Sequence, residues 1–222
     1  VSTLKASNVQ NAGSATVNIA LNTSGGVTLG SALGVASGGT GVATITGLLR
    51  GNGTSAFGNA TRGSDFSLMT VGSAVASTSG TAIDFTGIPS GVMRVTVLLK
   101  TVSTSATSAL LVQIGSGSFT TTGYACAYAN LGGTTTYGNS TSGFQLGING
   151  ASANTHSGAL TLTLMGSNTW VASGVIGYEN QAFVINSAGM LALGGALDRV
   201  RVTTTAGSDN FDFGSINILY EY

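Results

Sequence analysis

A catalyst would have to be assembled here from few parts, since 222 residues hold one histidine, one cysteine and seven carboxylates. A serine nucleophile would need His156 as its base, and no serine has the Gly-x-Ser-x-Gly spacing of a nucleophile elbow. His156 itself falls in the polar stretch 149–157, where a surface histidine is the expected reading. Glycosidic hydrolysis asks for two carboxyl groups about 5–10 Å apart. Only Asp209 and Asp212 stand close together, and GSDNFD at 207–212 reads first as a turn entering a strand. Those oxygens have no third acid nearby and no EF-hand pattern, so no Ca²⁺ site is expected. Cys126 is alone, which rules out an intrachain disulfide and a cysteine-based metal centre. The glycines at 38–41 are followed neither by a further glycine at the needed spacing nor by Gly-Lys-Ser/Thr, so they read as a turn and not as a phosphate loop. The expectation is a non-enzyme, without catalytic residues, metal or cofactor.

Binding chemistry has better material. Tyr137 lies in a polar, glycine-flanked stretch at 134–142 that also carries Asn139. A second polar stretch, 150–157, carries Asn154 and His156. An exposed ring can stack on the apolar face of a sugar while amides and hydroxyls bond its hydroxyl groups. Tyr137, Asn139, Asn154 and His156 are therefore the expected receptor-binding residues, with a loop anchored by one tyrosine as the plainer alternative. Trp170 stands in an apolar strand and is expected in the core, and Tyr124 and Tyr128 in a core or in a seam between chains.

The elements that must carry these residues are strands. Val95, Val97 and Leu99, with Met93 before them, alternate with Arg94, Thr96 and Lys100, the pattern of a half-buried antiparallel strand. Similar alternation recurs at Leu110, Val112 and Ile114, at Phe144, Leu146 and Ile148, at Leu160, Leu162 and Leu164, at Val200 and Val202, and at Ile216, Ile218 and Tyr220. Phe211 and Phe213 have the opposite parity to the last set, so Gly214 is expected to mark a bulge. Glycine-rich turns separate these runs, and no window shows a helical stripe. The chain is expected to be all-β, with residues 69–222 forming an antiparallel, jelly-roll-like β-sandwich. Residues 1–68 hold only brief alternations, such as Val17, Ile19 and Leu21, then Val27 and Leu29, then Leu33 and Val35. They read as an extended glycine-rich shaft or linker whose short strands need neighbouring copies for order.

Composition narrows the partners. Charged residues make up 6% of the chain against roughly 25% in ordinary domains, and hydrophobic residues 42%. Seven basic residues balance seven acidic ones, and Arg199 with Arg201 is the nearest thing to a basic cluster, read as one face of a strand. Nucleic acid is therefore not an expected partner. No apolar run of about 18 residues exists and the N-terminus lacks a basic stretch followed by an apolar one, so neither membrane insertion nor Sec export is expected. Sheets usually suppress edge-to-edge association with charges and prolines, both scarce here, so self-association is expected.

Two stretches carry a resemblance. Gly38-Gly39-Thr40-Gly41, Thr44 to Leu49 and Gly51-Asn52-Gly53-Thr54-Ser55-Ala56-Phe57 resemble the linker of many bacteriophage tail-fibre proteins. Ile83-Asp84-Phe85-Thr86-Gly87-Ile88-Pro89, Asn168-Thr169-Trp170-Val171-Ala172-Ser173-Gly174, Leu197-Asp198-Arg199-Val200-Arg201 and Gly214-Ser215-Ile216-Asn217-Ile218 resemble the terminal domain of the same group. The resemblance implies a homotrimeric virion fibre with a β-rich shaft and a distal tip, exposed to the medium and attaching the particle to a bacterial surface glycan or protein. Contacts with other virion proteins are implied as well. A head or neck fibre without a specific receptor, and a polysaccharide depolymerase, are the alternatives.

Overall fold

The computed structural model describes residues 8–9, 12–13, 19–21, 27–29, 47–51, 55, 57–60 and 68–222. The chain divides into two compact units, Val1–Ser67 and Leu68–Tyr222. In the first, β1 (Asn8–Val9), β2 (Ile19–Leu21) and β3 (Val27–Leu29) form a small antiparallel sheet, and β4 (Leu49–Arg50) pairs with β5 (Gly58–Asn59). Val17, Leu33 and Val35 lie outside the described residues, as does most of the linker-like segment 38–57.

The second unit contains β6 (Met69–Val71), β7 (Val75–Ala76), β8 (Ala82–Thr86), β9 (Arg94–Thr104), β10 (Leu110–Ser116), β11 (Ser118–Phe119) and β12 (Ala125–Leu131). It continues with β13 (Thr136–Ser140), β14 (Phe144–Leu146), β15 (His156–Gly166), β16 (Thr169–Tyr178), β17 (Phe183–Ala192), β18 (Arg199–Thr204) and β19 (Phe211–Glu221). There is no helix among the described residues, and hence none long and apolar enough to cross a membrane. The larger sheet runs β13-β12-β17-β16-β15-β9-β19-β6, with β7 also on β19. The smaller runs β11-β10-β18-β8, with β14 also on β10. The fold is all-β, as the alternation predicts, and the chain crosses repeatedly between the two sheets.

Alternation decides what the sheets bury. Val95, Val97, Leu160, Leu162, Ile176, Ile185 and Ile216 project inward from the larger sheet, and Val112, Ile114, Phe144, Leu146, Val200 and Val202 from the smaller, all into one core. Burying each such side chain contributes about 1.5–3 kcal/mol. Trp170 joins this core as expected, and Tyr124 packs edge-on to Phe144 at 5.0 Å between ring centroids. Met93 does not follow its run: it precedes β9, is 56% exposed, and donates its backbone N–H to the Glu221 carbonyl. Ile148, just beyond β14, is likewise exposed.

The expected break at Gly214 is present. The register of β19 against β9 shifts on both sides of Phe213, so Phe211 is buried, Phe213 is 57% exposed and Ile216 is buried again. Gly214 has φ of 94°, and a Cβ there would lie 2.4 Å from the Thr101 carbonyl oxygen. Opposite it, Thr101 is itself left-handed, with φ of 53°, and its N–H donates to Ser157 Oγ at 2.7 Å. The bulge is thus built from both strands.

The outward faces of the two sheets differ. On the smaller sheet Arg201 makes two 2.7 Å bonds to Asp84, Arg199 pairs with Asp198 at 2.7 Å, and both guanidinium groups stand over the Phe119 ring. These are the arginines expected on one strand face. On the larger sheet β12, β13, β15, β16 and β17 carry no Asp, Glu, Lys or Arg at all.

Candidate functional site

One end of the sandwich is closed by three connections: 132–135 between β12 and β13, 147–155 between β14 and β15, and 179–182 between β16 and β17. Their course follows from a set of uncharged clamps. Asn130, inward-facing near the end of β12, mimics a strand partner for Ile148: its Nδ2 donates to the Ile148 carbonyl at 2.9 Å and its Oδ1 accepts the Ile148 N–H at 3.0 Å. The Tyr178 hydroxyl donates to the same carbonyl. Gly147, with φ of 72°, starts this connection, and a Cβ there would meet Asn130 Oδ1 at 2.3 Å, so only glycine lets the clamp close.

The 147–155 segment is tied to the 179–182 turn by amides. Asn154 Nδ2 donates to Asn149 Oδ1 at 3.0 Å, while Gln181 Nε2 donates to Asn154 Oδ1 at 2.7 Å. Asn180 Nδ2 donates to the Ala153 carbonyl at 2.7 Å. Between the three connections lies a cleft of about 290 Å³, lined by Asn130, Thr134, Thr136, Tyr178, Gln181 and Phe183, with Asn154 and Ile148 among its walls. No carboxylate, lysine, arginine or histidine lines it. Its polar groups are two hydroxyls, three amides and one phenol, and its apolar part includes the rings of Tyr178 and Phe183, set at 69° to one another, with Ile148 and Ala151. Burial pushes the Tyr178 phenol up to about 12, against a smaller opposing effect of its bond to the Asn130 side chain, so it stays a neutral donor.

The expected site residues are separated by this geometry. Asn154 lines the cleft, but it is a buried wall, because its amide is consumed by Asn149 and Gln181. His156 is no surface residue: it opens β15, is 1% exposed and packs edge-on to Tyr178 at 4.5 Å between centroids. Its parity explains this, since it stands four and six residues before the buried Leu160 and Leu162, on the same strand face. The imidazole Nδ1 lies 3.0 Å from the Val102 carbonyl, which can only accept, so Nδ1 carries the proton. Among the described residues His156 Nε2 and Trp170 Nε1 are the buried side-chain atoms without a hydrogen-bond partner.

Tyr137 and Asn139 do not sit in a loop. They belong to the edge strand β13, paired with Ala129 and Ala127, and this register turns them onto the outer face of the larger sheet, away from the cleft. Tyr137 is 82% exposed there. The cleft residues not anticipated are Asn130, Thr134, Thr136, Tyr178, Gln181 and Phe183. Thr134 and Thr136 fall within the polar stretch singled out around Tyr137, and the ENQ sequence at 179–181 is the one signal that a third turn could join them.

No carboxylate lines the cleft, although Glu179 stands in the 179–182 turn, where it accepts the Ser157 hydroxyl. Asp209 accepts the Ser108 N–H at 3.0 Å, joining the 105–109 and 205–210 turns, and Asp212 accepts the Ser103 hydroxyl, joining β19 to the end of β9. No group of three or more His, Cys, Asp or Glu side chains able to hold a metal occurs among the described residues. No family model, curated protein or solved structure matches the chain.

Proposed function

We propose that this chain is the distal part of a bacteriophage virion fibre, and that its sandwich holds the particle to a bacterial surface by binding an uncharged sugar in the end cleft. The observation that carries the recognition half is the cleft's chemistry. The Thr134 and Thr136 hydroxyls, the Gln181 amide oxygen and two aromatic rings converge without a single ionic group. Such a lining matches the hydroxyls and C–H faces of a saccharide, and has no counter-charge for a phosphate or an ammonium. At about 290 Å³ it takes one ring and not an extended chain. The tail-fibre-like strings at 38–57, 83–89, 168–174, 197–201 and 214–218 support the virion half. One shallow sugar site binds weakly, and repetition of the tip on a particle converts it into firm attachment through effective concentration. A cleft without carboxylates offers retention of the glycan without cleavage.

The test uses the 222-residue protein as a competitor of virion adsorption across a panel of bacterial strains, with binding to extracted surface polysaccharide measured in parallel. The expected result is a strain whose adsorption is blocked, and at least a tenfold loss of blocking in the double variant Thr134→Ala, Thr136→Ala with unchanged melting. Full potency in that folded variant would remove the cleft from recognition. Absence of blocking in every strain would favour a purely structural fibre, and release of reducing sugar would favour a depolymerase.

A further inference from the structure

The outer face of the larger sheet has no counterpart elsewhere in the unit. Pairing registers set its rows: Asn139, Ala127, Ala188, Ser173 and Thr161 lie side by side across five strands, and Tyr137, Ala129, Asn186, Val175 and Ala159 form the next row. Flanking them, Val171, Val184 and Met190 are 41%, 42% and 40% exposed, and Val175 is 57% exposed. The alanines and Ser173 leave a shallow depression of about 730 Å³ in the middle. Five adjacent strands carry no Asp, Glu, Lys or Arg on either face, and the edge strand β13 has neither the charge nor the proline that keeps natural edges apart.

We infer that this face is a contact surface for a second copy of the same chain. Three observations select that occupant. A surface without charge cannot discriminate for an ionic partner, whereas it fits itself without like-charge repulsion, the condition for a self-complementary contact. Its exposed amides, Asn139 and Asn186, each offer donor and acceptor together, so copies of either can pair with one another. Its extent is right: five strands about 4.8 Å apart, along about eight residues of about 3.3 Å, span roughly 600 Å² before side-chain relief, near the ~800 Å² each partner of a standard interface covers. The ion-paired outer face of the smaller sheet, with Asp84, Asp198, Arg199 and Arg201, is the face suited to water. This inference does not depend on what the cleft binds.

The test places one thiol on each face of the full chain, Ser173→Cys on the larger sheet and Thr86→Cys on the smaller, the native Cys126 being buried. Light scattering is expected to give a multiple of the monomer mass, and a maleimide to modify Ser173→Cys at least tenfold more slowly than Thr86→Cys. Adding Val175→Asp and Ala188→Asp to Ser173→Cys is expected to abolish that protection with an unchanged strand signal in circular dichroism. A monomer mass overturns the inference, and so does an assembly in which both thiols react equally fast or in which the folded aspartate variant stays protected. If the aspartate variant fails to fold, the paired thiol rates and the mass decide alone.

Discussion

His156 shows how a single side chain can carry the pH response of the whole unit. Burial is the main influence on its basicity and lowers it, with the bond to the Val102 carbonyl opposing. The residues packed on the ring are uncharged: Val102 from β9 and Tyr178 from β16, the latter a neutral phenol. In the unfolded chain the imidazole titrates near its ordinary value of about 6.5, so above that pH both states hold it neutral and it has no effect. Below it the unfolded state binds a proton that the folded state refuses. Stability is therefore expected to fall with decreasing pH, by about 1.4 kcal/mol per unit until the folded group also titrates. Urea unfolding at pH 7.5 and pH 5.0 should differ by up to about 2 kcal/mol, and His156→Gln should flatten the difference. A residue's type alone pointed the wrong way here, since polar neighbours at 149–157 suggested a surface loop. Its parity with Leu160 and Leu162 was legible and decides its burial. Asn154 carried no such mark, because one of the two partners that bury its amide, Gln181, comes from a separate turn 27 residues further along the chain.

Among the elements, β9 and β19 pair along almost their whole length, and the bulge at Gly214 lets one strand change face while staying paired. Gly214→Ala would place a Cβ 2.4 Å from one backbone oxygen and 2.5 Å from another, at a φ that L-residues rarely adopt. The expected cost is about 3 kcal/mol or more, read as a fall in the urea midpoint with an unchanged slope. This bulge was written in the sequence as a parity switch between Phe211 and Ile216, two residue sets that a straight strand cannot both bury. The edge strand β13 was not written there. Its five residues, TYGNS, bury almost nothing, and an edge strand needs only the backbone of one neighbour, so its hydrogen bonds to β12 leave no hydrophobic period behind. The cleft was half legible for a related reason: the polar stretches that line it can be recognised, but the topology that brings 132–135, 147–155 and 179–182 to one end cannot.

Taken as a whole, the unit separates its ionic groups from its binding surfaces. Neither the cleft nor the five-strand face contains a charge, so changing ionic strength has nothing there to screen. Binding of extracted polysaccharide by the wild-type protein is expected to change less than about twofold between roughly 0.05 and 0.5 M NaCl, as titration calorimetry would read it. A steep decline with salt would mean that Arg199, Arg201 or Lys100 makes the contact instead. The order of strands has a further consequence, for the way the unit is made. β8 and β10 both pair with β18, and β9 and β19 pair with each other across more than a hundred residues. During synthesis the central β15-β16-β17 meander meets its neighbours early, whereas the early strands wait for the final ones to leave the ribosome. Until then the core side and the charge-free side of the same meander are both wet, and nascent chains on one message stand close together. Yield in a cell is thus expected to depend on translation rate and temperature more than on the final stability of the sandwich.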